Sequence, residues 1–201
     1  MIFKFLRLNI DIEDSAFNEL YPARIKTLSA RHWTPVEVAK IAADYLAEIS
    51  NTKILDIGSG AGKFCLVGAA TTKGMFYGVE QRLSLIKLSK KLAIKHNISN
   101  VKFIHSNITQ ISFTEYDAFY FYNPFYENLN KFQPIDEKVI LNKNLYYLYT
   151  QYVRNELSKT PLGTRLVTYY SFGDEIPEGF DIEFTAFNGE LNFWKKYFNP
   201  S

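Results

Sequence analysis

A single stretch, residues 53–64, limits the possible folds of this chain more than any other part of its sequence. It reads Lys-Ile-Leu-Asp-Ile-Gly-Ser-Gly-Ala-Gly-Lys-Phe. The apolar run at 53–57 predicts a buried strand, and the residues from Phe64 to Ala70 predict the helix that follows. Glycines at three alternate positions allow a sharp turn with positive φ and leave no Cβ in the way of a ligand. The turn predicts a nucleotide-type site formed by Asp56, Gly58, Ser59, Gly60 and Gly62.

A second predicted strand, Met75 to Glu80, ends in a carboxylate about twenty residues beyond the turn. In doubly wound folds an acidic side chain at this position binds the ribose hydroxyls of a nucleotide. Turn and carboxylate together indicate a bound nucleoside. Glu80 and the adjacent Gln81 are therefore predicted to bind a cofactor.

The glycine spacing indicates which nucleoside is bound. A dinucleotide fingerprint runs Gly-x-Gly-x-x-Gly, whereas this chain has Asp56-x-Gly58-x-Gly60-x-Gly62. That pattern resembles motif I of the class I S-adenosylmethionine-dependent methyltransferases, and Tyr77-Gly-Val-Glu80 resembles their second motif. The resemblance extends from Trp33 to Phe172 and implies S-adenosyl-L-methionine as the cofactor.

The rest of the chain fits the architecture that this resemblance implies. Helices are predicted at Leu83–His96, where the lysines form a solvated face, and at Asp136–Leu157, and a strand at Thr164–Tyr170. Two further strands, 180–187 and 191–198, are joined through Asn188-Gly189, a strong hairpin signal. We therefore expect a three-layer, doubly wound α/β fold with a mostly parallel seven-strand sheet and a C-terminal antiparallel hairpin.

The resemblance also implies a position for adenine at the end of the third predicted strand, Val101–His105. The family usually carries Asp there, and Asn107 stands at the matching place. Its side-chain oxygen can accept a hydrogen bond from the adenine amino group. Asn107 and the following Ile108 are predicted to bind the cofactor.

A predicted fourth strand, 117–122, runs directly into Asn123-Pro124-Phe125-Tyr126. Chemistry in open α/β sheets gathers beyond the carboxyl ends of the strands. The loop resembles the Asn-Pro-Pro-Tyr motif of amino methyltransferases that act on adenine or glutamine, with Phe125 in place of the second proline. Asn123, Pro124 and Tyr126 are predicted to be catalytic, Phe125 and Tyr126 to bind substrate, and Asn123 also to contact the cofactor. The structural alternative is a turn closed by Asn-Pro.

The same motifs, with an aromatic residue two positions after Asn123, resemble the Dot-type histone lysine methyltransferases and their prokaryotic relatives. This second resemblance implies a nitrogen nucleophile and a protein lysine as the methyl acceptor. Two alternatives remain open. The acceptor is RNA, DNA or a small molecule, or the chain is a cofactor-binding module without catalysis.

Residues 1–50 are predicted to form a helical extension packed on the core, and residues 51–201 the cofactor-binding domain of the same globular unit. Residues 1–30 are either a lid over the site or a packed extension. Thr34 is the predicted N-cap, and Pro35 the first residue, of a helix over 36–49. His32 and Trp33 lie in the loop that borders the cofactor in this class, and Trp33 is predicted to bind substrate.

Composition excludes several other classes of protein. The net charge is +2, and the 22% of charged residues are nearly balanced, so no strong basic field favours nucleic acid as the default partner. One cysteine excludes a disulfide framework and makes a thiolate metal cluster implausible, so no metal site is predicted. No apolar run has the length of a membrane span. We expect a cytoplasmic protein without a membrane partner.

Overall fold

A seven-stranded sheet forms the centre of the computed structural model, which describes residues 1–28, 32–130 and 134–199. The strands are β1 (Lys53–Ile57), β2 (Met75–Glu80), β3 (Val101–His105), β4 (Ala118–Tyr122), β5 (Arg165–Tyr169), β6 (Phe180–Ala186) and β7 (Leu191–Lys196). Their order is β3-β2-β1-β4-β5-β7-β6. β1 to β5 run parallel, and β7 pairs antiparallel with both β5 and β6. The predicted fold class is confirmed.

Helices cover both faces of this sheet. They are α1 (Ile2–Arg7), α2 (Asp14–Asn18), α3 (Ala23–Lys26), α4 (Val36–Leu46), α5 (Lys63–Thr71), α6 (Leu83–Lys95) and α7 (Lys143–Ser158). Successive residues of β1 enter different cores, Ile54 with residues of α4, α5 and α6, and Leu55 with residues of α7. Since both faces are buried, the parallel strands are nearly continuous apolar runs.

Two predicted helices differ from the structure at their ends, for identifiable reasons. α4 begins at Val36, as predicted, but its predicted cap and its predicted end are wrong. Thr34 does not cap α4. Its hydroxyl lies 2.7 Å from the Tyr120 hydroxyl, Pro35 is the N-cap residue, and the Val36 amide donates to Asp14 Oδ1 at 3.1 Å. The helix also ends at Leu46 instead of residue 49.

The last helix, α7, begins seven residues later than the predicted Asp136, at Lys143. Asn142 caps it by accepting a hydrogen bond from the Leu145 amide at 3.0 Å. Asp136 instead accepts a hydrogen bond from Arg82 Nε at 3.2 Å. A long-range contact therefore overrides the local helical pattern.

The predicted C-terminal hairpin is confirmed. β6 and β7 are joined by residues 187–190, where Asn188 has a φ of 56° and Gly189 a φ of 88°. Both values lie in the left-handed region that Asn and Gly tolerate best. The hairpin extends the sheet beyond β5 and places Glu190 next to the end of that strand.

The first 28 residues are packed against the domain and also reach the site. Phe3, Leu6 and Phe17 are buried in the same core cluster as the apolar residues of α4 and α5. Asp14 and Asn18 line the main cavity. Within the described parts of the chain, no helix combines the length and apolarity that crossing a membrane requires.

Candidate functional site

A cavity of about 990 Å³ opens where the parallel strands end. Its wall comes from the turn after β1, the end of β2, and the segments after β3, β4 and β5. Eleven of the predicted site residues line it: Trp33, Gly58, Gly60, Glu80, Gln81, Asn107, Ile108, Asn123, Pro124, Phe125 and Tyr126. Asp56, Ser59 and Gly62 do not.

The three glycines of the turn have positive φ angles, of 75° at Gly58, 52° at Gly60 and 80° at Gly62. A Cβ at Gly58 would lie 2.5 Å from Pro124 Cβ, and one at Gly62 would lie 2.7 Å from the Phe103 ring. A Cβ at Gly60 would meet no atom within 4 Å. Gly58 and Gly62 thus permit close packing, and Gly60 faces open space in the cavity.

Asp56 and Ser59 lie beneath the turn. Asp56 is 3% exposed, and its Oδ2 accepts a hydrogen bond from the Cys65 thiol at 3.2 Å. Burial raises the pKa of Asp56 to about 7. The Ser59 hydroxyl is buried and has no hydrogen-bond partner among the described residues. Both residues line a small separate pocket. Both side chains are therefore part of the packing of the turn, outside the wall of the main cavity.

Glu80 ties the end of β2 to the glycine turn. Its Oε2 accepts a hydrogen bond from the Gly60 amide at 3.2 Å, and its Oε1 accepts one from the Arg82 amide at 2.8 Å. Burial raises the pKa of Glu80, and the hydrogen bonds from Arg82 and Gly60 oppose that rise. Each carboxylate oxygen has a lone pair left for a ligand hydroxyl.

Arg82, which the sequence analysis missed, connects this carboxylate to the loop after β4. The side chain is 3% exposed. Its Nη2 donates to Glu127 at 2.8 Å and its Nε to Asp136 at 3.2 Å, and its Nη1 lies 3.8 Å from Glu80. Glu127 also accepts a hydrogen bond from the Ile135 amide at 2.8 Å. A buried ionic network therefore joins the end of β2 to the segment after Tyr126.

Asn107 already accepts two hydrogen bonds with its side-chain oxygen. Its Oδ1 accepts hydrogen bonds from the amide of Thr109 at 3.0 Å and from its hydroxyl at 2.9 Å, and its Nδ2 donates to the Tyr149 hydroxyl at 2.9 Å. It caps the short helix Ile108–Gln110. An adenine amino group would have to compete with Thr109 for this oxygen. The cofactor contact of Asn107 stays a prediction.

The residues of the loop after β4 have different environments. Asn123 is half-buried and has a φ of 35°, and Pro124 packs against Gly58. Phe125 is 5% exposed, with its ring 5.4 Å from that of Tyr149, so it mainly fills the core. Tyr126 is 40% exposed at the cavity mouth. Asn123 and Tyr126 are thus the loop side chains best able to meet an acceptor.

Lys63 lines the cavity next to Asp14 and Asn18 of α2. The sequence analysis did not identify it. Its ammonium contacts Asp14 and lies 3.1 Å from Asn18 Oδ1, although the side chain is only 4% exposed. Burial lowers the pKa of Lys63, and Asp14 opposes that effect. The ammonium also lies 5.7 Å from the centre of the Trp33 ring. Trp33 is 7% exposed and packs on Tyr21, so much of its ring belongs to the core.

Three aromatic residues, at the end of β5 and directly after it, complete the mouth and were also missed. Tyr169, Tyr170 and Phe172 line the cavity. Tyr170 has a φ of 51°, and its amide donates a hydrogen bond to the Glu190 carbonyl at 2.9 Å. The available signal was the pattern itself, a run of aromatic residues directly after a strand that ends at the site.

The comparisons with known proteins agree with this geometry. The profile of the family described as "Methyltransferase domain" matches residues 48–158, more than half of the chain. A comparison with curated protein sequences gives no match.

Among solved structures, TrmN from Thermus thermophilus is 17% identical with a TM-score of 0.60, over 86% of this chain and 52% of that one. An RNA methyltransferase from Salinibacter ruber in complex with S-adenosyl-L-homocysteine is 17% identical with a TM-score of 0.56, over 84% and 95%. A SAM-dependent methyltransferase from Aquifex aeolicus is 16% identical with a TM-score of 0.55, over 87% and 96%. At these identities the likeness concerns the fold.

Proposed function

Since the chain belongs to the methyltransferase domain family, we propose that it transfers a methyl group to a nitrogen atom, and that the acceptor is a lysine side chain of another protein. Methyl transfer and the use of S-adenosylmethionine follow from the family. The nitrogen and the protein acceptor are the proposed part.

The residues of the cavity fit this cofactor. Gly60 leaves open space beside the Glu80 carboxylate, which can accept hydrogen bonds from ribose hydroxyls. When bound, S-adenosylmethionine supplies an electrophilic methyl group on a positively charged sulfur. The described lining carries three carboxylates (Asp14, Glu80, Glu127) and two cationic side chains (Lys63, Arg82), a formal charge of −1 that favours a cation.

The observation that carries the acceptor proposal is the contact between Pro124 and Gly58. It holds the loop after β4 directly against the turn at which the cofactor would lie. The Asn123 side-chain oxygen and the Pro124 carbonyl can accept hydrogen bonds from an amine and so aim its lone pair. Good orientation of two reactants can lower a barrier by about 7 to 11 kcal/mol.

A lysine must lose its proton before it can attack, and the aromatic wall supports that step. The half-buried Tyr122 and the buried Tyr169 line the cavity next to Asn123, with their rings 4.8 Å apart. An apolar environment disfavours the charged ammonium and lowers its pKa. The proton can leave to solvent through the open mouth, where Tyr126 and Phe172 are exposed.

The acceptor class is tested by incubating the protein with tritiated S-adenosylmethionine and a lysate of the source cell. The label should enter protein and be recovered as methyllysine after acid hydrolysis. Protease and nuclease treatments of parallel samples identify the labelled material. Label found only in RNA, DNA or metabolites would exclude the protein acceptor.

Asn123→Gly provides the matched variant for the loop, because glycine removes the amide and still tolerates the positive φ at this position. We expect kcat to fall about 100-fold, the scale of a misoriented reactant, with S-adenosylhomocysteine affinity nearly unchanged. Tyr126→Ala should raise KM for the acceptor, and Tyr126→Phe should have little effect. Turnover of Asn123→Gly at the wild-type rate would refute the role of this amide.

A further inference from the structure

Three aromatic side chains stand exposed at the mouth of the cavity. Phe172 is 64% exposed, Tyr170 44% and Tyr126 40%. The rings of Tyr126 and Phe172 lie 6.0 Å apart and connect the loop after β4 with the loop after β5. Single exposed aromatic residues are common, but a contiguous group beside a catalytic cavity marks an interaction surface. We call Tyr126, Tyr170 and Phe172 the mouth aromatics.

The loop that carries Phe172 is held in place by its own hydrogen bonds. The Ser171 hydroxyl accepts a hydrogen bond from the Gly173 amide at 3.0 Å and donates one to Glu175 at 3.1 Å. Tyr146 donates to Asp174 at 3.1 Å. Because Phe172 lies within this braced loop, little conformational freedom is lost when a partner covers it.

The chain around the mouth aromatics carries charge of one sign. The loop after β5, residues 170–179, contains three carboxylates and no Lys, Arg or His, although the whole chain has a net charge of +2. These are Asp174, Glu175 and Glu178, which follow Phe172, and Glu190 lies next to Tyr170, whose amide donates a hydrogen bond to the Glu190 carbonyl at 2.9 Å. Asp174 and Glu178 are exposed. Arg154 approaches this loop from α7, where it donates to the backbone oxygens of Asp174 and Ile176.

We propose that the mouth aromatics and the loop 170–178 form a docking surface for a flexible, positively charged protein segment that carries the methyl acceptor. Aromatic faces attract ammonium and guanidinium groups, and the neighbouring carboxylates strengthen that attraction. A nucleic acid could stack its bases on the same rings, but its phosphates would meet the exposed carboxylates. Charge complementarity therefore selects a basic peptide. The proposal rests on the proposed function only in requiring a protein acceptor.

The test measures fluorescence anisotropy with two labelled probes, an eight-residue peptide of alternating Lys and Gly and a single-stranded RNA octamer. The full chain, with S-adenosylhomocysteine present, should bind the peptide more tightly than the RNA. Phe172→Ala should weaken peptide binding at least fivefold. The double variant Asp174→Asn/Glu178→Gln should reduce the dependence of peptide affinity on salt.

Matched controls come from β6, which lies at the far edge of the sheet. Phe184 is 47% exposed and Asp181 is also exposed, and neither lines the cavity. Phe184→Ala and Asp181→Asn should change peptide affinity less than twofold. S-adenosylhomocysteine calorimetry on every variant establishes that the cofactor end of the cavity is intact.

The docking surface is refuted if the wild-type chain binds RNA more tightly than the peptide, if it binds no peptide, or if Phe172→Ala and Phe184→Ala behave alike. Failure of the proposed function has a different signature. Peptide binding would then depend on Phe172, while the lysate experiment would yield no methyllysine. Methyllysine formed with an unchanged KM by Phe172→Ala would refute the docking surface and leave the proposed function intact.

Discussion

Gly60 differs from its neighbours because nothing in the protein occupies the space beside it. A Cβ at Gly58 or Gly62 would collide with Pro124 or Phe103, so substitution there would disturb packing. At Gly60 the space is open and the φ of 52° is the remaining constraint. A substitution at Gly60 can therefore test ligand binding without disturbing the packing of the turn.

We expect Gly60→Val to abolish S-adenosylhomocysteine binding while the protein still folds, because the new side chain would occupy the ligand's space. Gly163 is a matched control, since it has a φ of 84°, open space around its Cα and no place in the cavity wall. Both substitutions should cost about 1 to 2 kcal/mol of stability through the left-handed backbone. Calorimetry and thermal unfolding measure the two effects. Wild-type binding by Gly60→Val would show that Gly60 does not face the ligand.

Asp56 offers a test by pH. Its pKa rises from an ordinary value of 3.8 to about 7 in the folded protein because it is buried. Between these values the folded state holds a proton that the unfolded state has lost, so Asp56 makes the free energy of unfolding fall as pH rises from about 4 to 7. Above about pH 7 Asp56 is ionised in both states, and its effect on the free energy of unfolding no longer changes with pH.

Asp56→Asn removes this titration and keeps an oxygen that can accept from Cys65. The difference in the free energy of unfolding between Asp56→Asn and the wild type should therefore grow with pH up to about 7 and then level off. Denaturant unfolding at several pH values measures it. A difference that is constant across this range would mean that Asp56 is ionised throughout.

At the scale of elements, Arg82 makes the end of β2 and the loop after β4 one unit. The three carboxylates around its guanidinium come from positions 80, 127 and 136. Buried charges in one hydrogen-bonded network depend on each other. A substitution at Glu127 should therefore change the cofactor affinity that Glu80 is predicted to provide.

A double-mutant cycle on S-adenosylhomocysteine affinity measures this coupling. Glu80→Gln and Glu127→Gln should be non-additive by about 0.5 to 3 kcal/mol. Glu137→Gln is the matched control, because Glu137 is an exposed carboxylate next to Asp136 in sequence. Its cycle with Glu80→Gln should be additive within about 0.5 kcal/mol. Additivity in both cycles would mean that the network is only structural.

The sequence predicts those elements whose signal is local. The strands of the parallel sheet appear as apolar runs, because both of their faces are buried. The Asn188-Gly189 turn and the glycine turn appear as residues that tolerate positive φ. The partners of Arg82 and Lys63 could not be predicted, since Glu127 and Asp14 lie 45 and 49 residues away in the chain.

At the scale of the whole molecule, the distribution of charge over the surface also depends on which distant parts of the chain come together, so the sequence did not predict it. A net charge of +2 with nearly balanced residues indicates no strong field. The fold separates the signs, however. The exposed lysines 87, 90, 91 and 95 lie on α6, which joins β2 to β3 at one edge of the sheet, and the exposed carboxylates Asp174 and Glu178 lie in the loop after β5, on the other side of β1 and β4.

Charges of opposite sign are thus exposed on the two sides of the sheet, lysines on α6 and carboxylates in the loop after β5. In physiological salt such a field extends about 8 Å from the surface, far enough to turn an approaching molecule before contact. A cationic chain would be drawn to the loop after β5 and so to the mouth aromatics, and a polyanion would be drawn to the lysines of α6, away from that loop. The first selection of substrate would then take place in the encounter, before any side chain has touched the acceptor.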